Sequence, residues 1–217
     1  MSKKLATITG LGRYLPERIL TNKEIEAMVE TSNEWIVSRT GIEERRIAAA
    51  DEFSSTMGIY AAKQALKQAN MRADEIDAII VATMTPDYIM PSTAALIQHE
   101  LGARKAAAID IQAACSGFIY GLSIAKPWVE SGLFHNVLVI ATEKNSAIVD
   151  YTDRTTCPLF GDGAGAAVVR LSAAGYAIKE ICLGADGEQA KLLHIPASGC
   201  RNPASEATVL ARQHYMT

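Results

Sequence analysis

Four short runs of almost unbroken apolar residues alternate with segments of helical periodicity, and this rhythm limits the fold more than any other feature. They are residues 78–84 (AIIVATM), 106–114 (AAAIDIQAA), 135–143 (HNVLVIATE) and 163–171 (GAGAAVVRL). A strand that is apolar on both sides must be covered on both faces, and strands joined through helices receive that cover from the connections themselves. The sequence therefore predicts the α/β class, with one sheet between layers of helices. Each run is far shorter than the roughly 20 apolar residues a helix needs to span a bilayer, so the runs read as buried strands and no membrane partner is expected.

The segments between fill in the pattern. An apolar run at residues 5–11 predicts a first strand ended by Pro16, after which Thr21 and Asn22 offer caps for a helix over KEIEAMVE. A second short helix should run from Asn33 to Arg39 and stop at Gly41, followed by an exposed strand or ribbon in IEERRIAA. Ser54 and Ser55 should cap a long helix over residues 56–69, with Met57, Ala61, Ala65 and Leu66 on its buried face. Residues 92–101 behind Pro91 and residues 115–131 complete the helices, with Pro127 expected to kink the last one or end its regular part. Beyond Leu171 the segments YAIKEICLGADG and KLLHIP predict two further strands, and a short helix or strand begins near Thr208. On this reading residues 1–171 form one α/β half and residues 172–217 open another.

Composition narrows the partners. With 49% hydrophobic and 21% charged residues among 217, the chain can bury a real core and is not a disordered segment. Its 21 Lys and Arg against 24 Asp and Glu leave a net charge of −3 and no basic stripe, which argues against nucleic acid. Cys115, Cys157, Cys182 and Cys200 contain no C-x-x-C pair and no nearby histidine at ligand spacing, so neither a zinc site nor a disulfide framework is predicted. Glycines and Arg13 interrupt the first residues before a secretory apolar stretch could form, and a reducing, cytoplasmic setting fits best.

Cys115 is the leading candidate for chemistry. It sits where an apolar strand gives way to a helix, a junction whose free N–H groups and positive helix end favour a thiolate. The small neighbours Ala113, Ala114, Ser116 and Gly117 would let a carbonyl approach the sulfur. The residues alone leave two readings open, a nucleophile or a buried structural cysteine. FGDGAGAAVV, with three glycines in five residues, could cradle a phosphate or simply turn; it lacks the Lys-Ser/Thr of a P-loop, and its glycines precede a strand rather than opening a helix. Trp35 and Arg39, four residues apart on one helical face, could stack on an adenine and meet a phosphate, or be ordinary surface packing. Arg154, on the polar loop DYTDRTT, is equally ambiguous by itself.

Taken in order, G-x-G-x-Y-L-P, T-N-x-E, T-S-x-E-W-I-x-x-R-T-G-I-x-x-R, STMG, AACSGF, T-D-R-x-T and FGDGAGA resemble the β-ketoacyl-acyl carrier protein synthase III family of thiolase-like condensing enzymes, over residues 5–217. The resemblance implies a duplicated, layered αβαβα fold of which this chain supplies the first half and the opening strands of the second. It implies that Cys115 is acylated by acetyl-CoA, with no cofactor, and that malonyl-acyl carrier protein then condenses on it to give acetoacetyl-acyl carrier protein. Trp35 and Arg154 would flank the coenzyme A adenine, with Thr31 and Arg39 at the nucleotide end. Phe160 would line the acyl channel, and Met90 would stand where relatives often carry an aromatic that crosses a homodimer interface into the partner's acyl pocket. Met216 is placed, more weakly, on the tunnel wall.

The family's histidine and asparagine that stabilise the enolate have no counterpart in this resemblance, since none of His99, His135, His194 and His214 sits in a matching motif. The expectation is therefore a truncated or cleaved synthase. The rival readings are another thiolase-like acyl-CoA synthase, including the starter-unit synthase of a specialised pathway, and an inactive module that only binds coenzyme A or acyl carrier protein.

Overall fold

The computed structural model describes residues 5–217. In chain order the elements are β1 (Ala6–Tyr14), β2 (Arg18–Thr21), α1 (Asn22–Glu26), α2 (Asn33–Thr40), β3 (Glu44–Ile47), α3 (Ser54–Gln68), β4 (Ala78–Ala82), α4 (Thr93–Leu101), β5 (Ala107–Ile111), α5 (Gly117–Glu130), β6 (Asn136–Lys144), β7 (Asp162–Leu171), β8 (Tyr176–Ala177) and α6 (Glu206–Leu210). They form two compact units woven from separate stretches. One takes the residues up to Pro16 with Ala48–Glu143 and Gly163–Leu183; the other takes Glu17–Ile47, Lys144–Asp162 and Gly184–Thr217.

The first unit is built on a six-stranded sheet in the order β5-β4-β6-β7-β1-β8. Strands β5 and β6 each run parallel to β4, whereas β1 runs antiparallel to both β7 and β8. Its near-continuous apolar strands follow from two covered faces. Ile79, Val81, Leu138 and Ile140 turn toward Ala61, Ala65 and Leu66 of α3 and Ala94 and Ile97 of α4. Ala78, Ile80, Val137 and Val139 turn the other way, toward Leu122, Ala125 and Val129 of α5. Period two thus sends successive residues of one run into two cores. Each fully buried Ile or Leu contributes roughly 1.5–3 kcal/mol.

Helix α3 lies directly on β1, and glycine makes that approach possible. A Cβ at Gly12 would sit 2.0 Å from the Ala61 carbonyl oxygen, and one at Gly10 would sit 2.2 Å from that of Ala65. Ser54 and Ser55 do not cap α3 as predicted. They form its first turn behind Phe53, and the Asp87 carboxylate accepts from the Ser55 N–H at 2.9 Å, while Ser54 Oγ donates to the Thr85 carbonyl at 2.6 Å. The caps come from a distant loop, so local sequence did not reveal them.

The second unit packs Leu20, Ile25, Ile36, Val149 and Cys157 around the antiparallel β2–β3 ribbon, the ribbon anticipated for IEERRIAA. Thr21 caps α1 in a capping box with Glu24, but the helix ends at Glu26, short of the predicted KEIEAMVE. Asn22 is no cap; it is buried, and its amide donates to Asn33 Oδ1 and the Ile42 carbonyl. Helix α2 stops at Gly41 in the left-handed conformation, φ 71°, as its sequence demands.

One further expectation fails. Residues 176–196 do not form two strands: among the described residues only Tyr176–Ala177 pair, with Thr7 and Ile8 of β1. Strand propensity yields extended structure only where a ladder partner is available, and most of this stretch has none. Pro127 lies inside α5, and the helix continues past it to Glu130.

Candidate active site

The parallel strands β4, β5 and β6 all end at one edge of the sheet, the edge where open α/β sheets gather their ligands. Cys115 follows β5 at that edge. Between Ile111 and the start of α5 the chain makes a single tight 3₁₀ turn over Ala114–Ser116, closed by the Ser116 N–H donating to the Ala113 carbonyl at 3.1 Å. Ala114 carries φ +45°, a left-handed backbone that an L-residue adopts at an energetic cost and that often marks functional sites. The consequence is an exposed thiol at the amino end of α5, which disposes of the buried structural cysteine. The unpaired N–H groups of the first turn of α5 lie at the same end of the sheet.

Two glycines set the height of that turn. A Cβ at Gly117 would lie 2.8 Å from Ala82 Cβ on β4, and one at Gly121 would lie 2.7 Å from Val139 Cγ1 on β6. Helix α5 therefore rests backbone-close on β4 and β6, and any larger residue at Gly117 would lift Cys115 away from the sheet. Neither the strained Ala114 nor this close approach is written in the local sequence beyond a preference for small residues.

Met90 belongs to the same unit, on the loop after β4. The base of that loop is pinned by the Glu143 carboxylate, which accepts from the Met84 N–H and Thr85 Oγ1, both at 2.7 Å. Burial pushes the Glu143 carboxyl up despite those hydrogen bonds. The tip is free of the core: Tyr88, Ile89 and Met90 are all strongly exposed, Met90 at 83%.

The predicted nucleotide residues fall in the second unit. Ser32 caps α2 by accepting from the Trp35 N–H at 3.1 Å, which presents the half-exposed Trp35 one turn before the exposed Arg39. The Arg154 guanidinium lies 5.4 Å from the Trp35 ring centroid, a cation–π pair between residues far apart in sequence. Thr31 precedes the cap, and its Oγ1 is buried without a hydrogen-bond partner. Phe160 is half-buried against the Leu20–Ile25–Ile36 cluster. Met216 is buried, and its N–H donates to the Ile148 carbonyl. Of the glycines of FGDGAGA, Gly163 and Gly165 sit in β7, Gly165 opposite Arg13 of β1, and Asp162 accepts from the N–H and Oγ of Ser146 at 2.8 and 2.6 Å.

Sequence reasoning passed over Arg45. It is 6% exposed, at the centre of the second unit, and donates to Asn22 Oδ1 at 2.7 Å and the Pro158 carbonyl at 2.6 Å. Both it and Asn22 stood in quoted motifs, with nothing local to show that they touch. Among the described residues no group of three or more His, Cys, Asp or Glu side chains comes together as a metal site, and no helix is long and apolar enough to cross a membrane.

Comparison with known proteins gives a consistent result. The pattern of the 3-oxoacyl-[acyl-carrier-protein] synthase III family matches residues 109–187. The chain is 54% identical over 213 residues to the β-ketoacyl-[acyl-carrier-protein] synthase III of Chlamydia muridarum, covering 98% of this chain and 65% of that protein. Against the enzyme of the same name from Caldanaerobacter subterraneus the identity is 54% over 215 residues, again covering 65% of the relative. The chain thus spans just under two thirds of the length of these curated relatives. Among solved structures, 3-oxoacyl-[acyl-carrier-protein] synthase III from Aquifex aeolicus superposes with TM-score 0.85 at 49% identity, covering 94% of this chain and 66% of that one. The priming β-ketosynthase of the R1128 polyketide pathway superposes with TM-score 0.89 at 39% identity, covering 99% and 63%.

Proposed function

Because the chain belongs to the β-ketoacyl-[acyl-carrier-protein] synthase III family and shares its thiolase-like fold, we propose that Cys115 takes an acetyl group from acetyl-CoA, the first half of the condensation that starts fatty acid synthesis. The Cys115 sulfur attacks the thioester carbonyl carbon, its bond to that carbon forms, the carbon–sulfur bond to coenzyme A breaks, and coenzyme A leaves with the proton. Attack by the carbanion left when malonyl-acyl carrier protein loses carbon dioxide would then release acetoacetyl-acyl carrier protein and regenerate the thiol. No cofactor is required beyond the substrates.

The observation that carries this reading is the exposed Cys115 thiol in a strained turn at the amino end of α5. The free N–H groups of a helix start can donate to the oxyanion that forms as the carbonyl is attacked. Trp35 and Arg154 are assigned to the adenine of coenzyme A, with Thr31 and Arg39 at its phosphates. A planar ring and planar guanidinium groups suit a base and a phosphate better than point charges would. Phe160 and Met90 are assigned to the acyl pocket, Met90 acting across a homodimer, and the setting is cytoplasmic. Likeness to a priming ketosynthase of a polyketide pathway supports a second reading, a starter-unit synthase of a specialised pathway that loads an acyl group other than acetyl. A flexible methionine at position 90 would accommodate either.

The test is a denaturing intact-mass spectrum of the protein after incubation with acetyl-CoA, beside a Cys115→Ala control. One added acetyl group that disappears in the control supports the reading, and preferential labelling by another acyl-CoA would favour the second. Absence of any adduct, or an adduct that survives in the control, would refute the assignment of Cys115.

A further inference from the structure

The least explained group in the second unit is the buried guanidinium of Arg45. Its three hydrogen bonds all go to neutral oxygens: Asn22 Oδ1, the Pro158 carbonyl and, at 3.4 Å, the Leu20 carbonyl. Its Nε has no partner at all. The titratable groups that face it, Cys157 and Tyr151, are both pushed up by burial, Tyr151 to about 12, and so supply no compensating charge near neutral pH. A buried cation without an anion is costly, and replacement by an apolar side chain would often stabilise the fold. Stability alone does not account for it.

Its contacts do. Through Nη1 it holds Asn22, whose amide in turn holds Asn33, the first residue of α2 and two before Trp35. Through Nη2 it holds the Pro158 carbonyl, on the segment that carries Arg154. Tight packing excludes any slack on that side, since a Cβ at Gly161 would lie 2.9 Å from Arg45 Cβ. One rigid fork therefore ties together the two stretches whose side chains form the Trp35–Arg154 pair.

We propose that Arg45 is a positioning residue for coenzyme A, spanning Asn22 and Pro158 to fix the spacing between Trp35 and Arg154. The inference rests on the coenzyme A reading given above. Lysine cannot replace the fork, because a single ammonium cannot present two fixed N–H directions to oxygens on different segments.

The experiment uses Trp128→Phe as the reference, so that Trp35 is the only tryptophan, and compares Arg45→Met, Arg45→Lys and Arg154→Ala in that background. Acrylamide quenching of Trp35 reads the pair directly: both Arg45 variants should match Arg154→Ala, with Trp35 more accessible than in the reference. Titration with coenzyme A should show Kd raised at least about tenfold in all three. In the two Arg45 variants, Cys115 acetylation by S-acetyl-N-acetylcysteamine, a thioester without the nucleotide, should stay within about twofold of the reference while acetylation by acetyl-CoA falls. A general structural role would slow both thioesters together and would overturn the proposal. So would reference-like quenching and coenzyme A affinity in both Arg45 variants alongside weakened binding in Arg154→Ala. A reference protein that gives no saturable response to coenzyme A removes the coenzyme A reading and the inference with it, whereas the quenching arm still reports whether Arg45 sets the pair.

Discussion

Replacing Gly117 with alanine should slow acylation of Cys115 far more than it unsettles the fold. The new Cβ would start 2.8 Å from Ala82 Cβ and 3.9 Å from Ala82 Cα. Carbon atoms in contact settle at about 3.5–4.0 Å, so the start of α5 must rise by about 1 Å. Ala82 cannot yield, because it ends a strand hydrogen-bonded on both sides, to β5 and to β6. Overpacking of this kind costs about 1–3 kcal/mol, and exchanging glycine for alanine in a helix returns up to about 1 kcal/mol, leaving a net loss of about 2 kcal/mol or less. A displacement near 1 Å at the reacting atom is worth about a hundredfold in rate. Time-resolved intact-mass measurement of Cys115 acetylation should therefore fall about 10- to 100-fold while the thermal midpoint moves by a few degrees. Gly121→Ala is the control, since its Cβ is crowded as closely, 2.7 Å from Val139 Cγ1, but one turn further from the thiol. Acetylation within twofold of the parent in Gly117→Ala, or an equal loss in Gly121→Ala, would refute the argument that this glycine sets the height of Cys115.

Gly12→Ala should destabilise by about 3 kcal/mol or more in urea titrations, because its Cβ would lie 2.0 Å from the backbone oxygen of Ala61 and neither β1 nor α3 can move alone. Gly165→Ala, across the ladder from Arg13 with the Gly12 carbonyl oxygen 4.0 Å from the added Cβ, should change stability by about 0.5 kcal/mol or less. Glu143 predicts a pH effect. Burial holds its carboxyl above the ordinary glutamate range, so folding binds a proton there. The stabilising share is complete below the unfolded-state value and is lost as pH rises through the native one. Relative to the parent, Glu143→Gln should therefore gain stability as pH is raised from about 4 toward neutrality, measured as a difference in thermal midpoints. A difference that stays flat or falls over that range would show that the hydrogen bonds from Met84 and Thr85 outweigh burial.

What the sequence makes legible is what is decided locally or by period. The run Ala78–Ala82 could be read as a strand because both faces are covered, and the structure sends Ile79 and Val81 to α3 and α4 but Ala78 and Ile80 to α5. Thr21 and Gly41 announced a helix start and a helix stop because a cap is a local geometry. The junction that carries Cys115 could be placed because a strand-to-helix change shows in hydropathy, although only the folded chain reveals the left-handed Ala114 before it. Long-range distances leave no such trace. Nothing local marks what Gly10, Gly12, Gly117 and Gly121 face, yet in the fold each proves to be a close approach between a helix and a strand. Arg45 and Arg46 are adjacent and chemically identical, yet only Arg45 is buried, because strand alternation turns it inward to an asparagine 23 residues earlier and a carbonyl 113 residues later. A motif can tell that such an arginine is present. Its task follows only from the two segments it joins, and that is why the residue most in need of a physical explanation was the one the sequence left without a role.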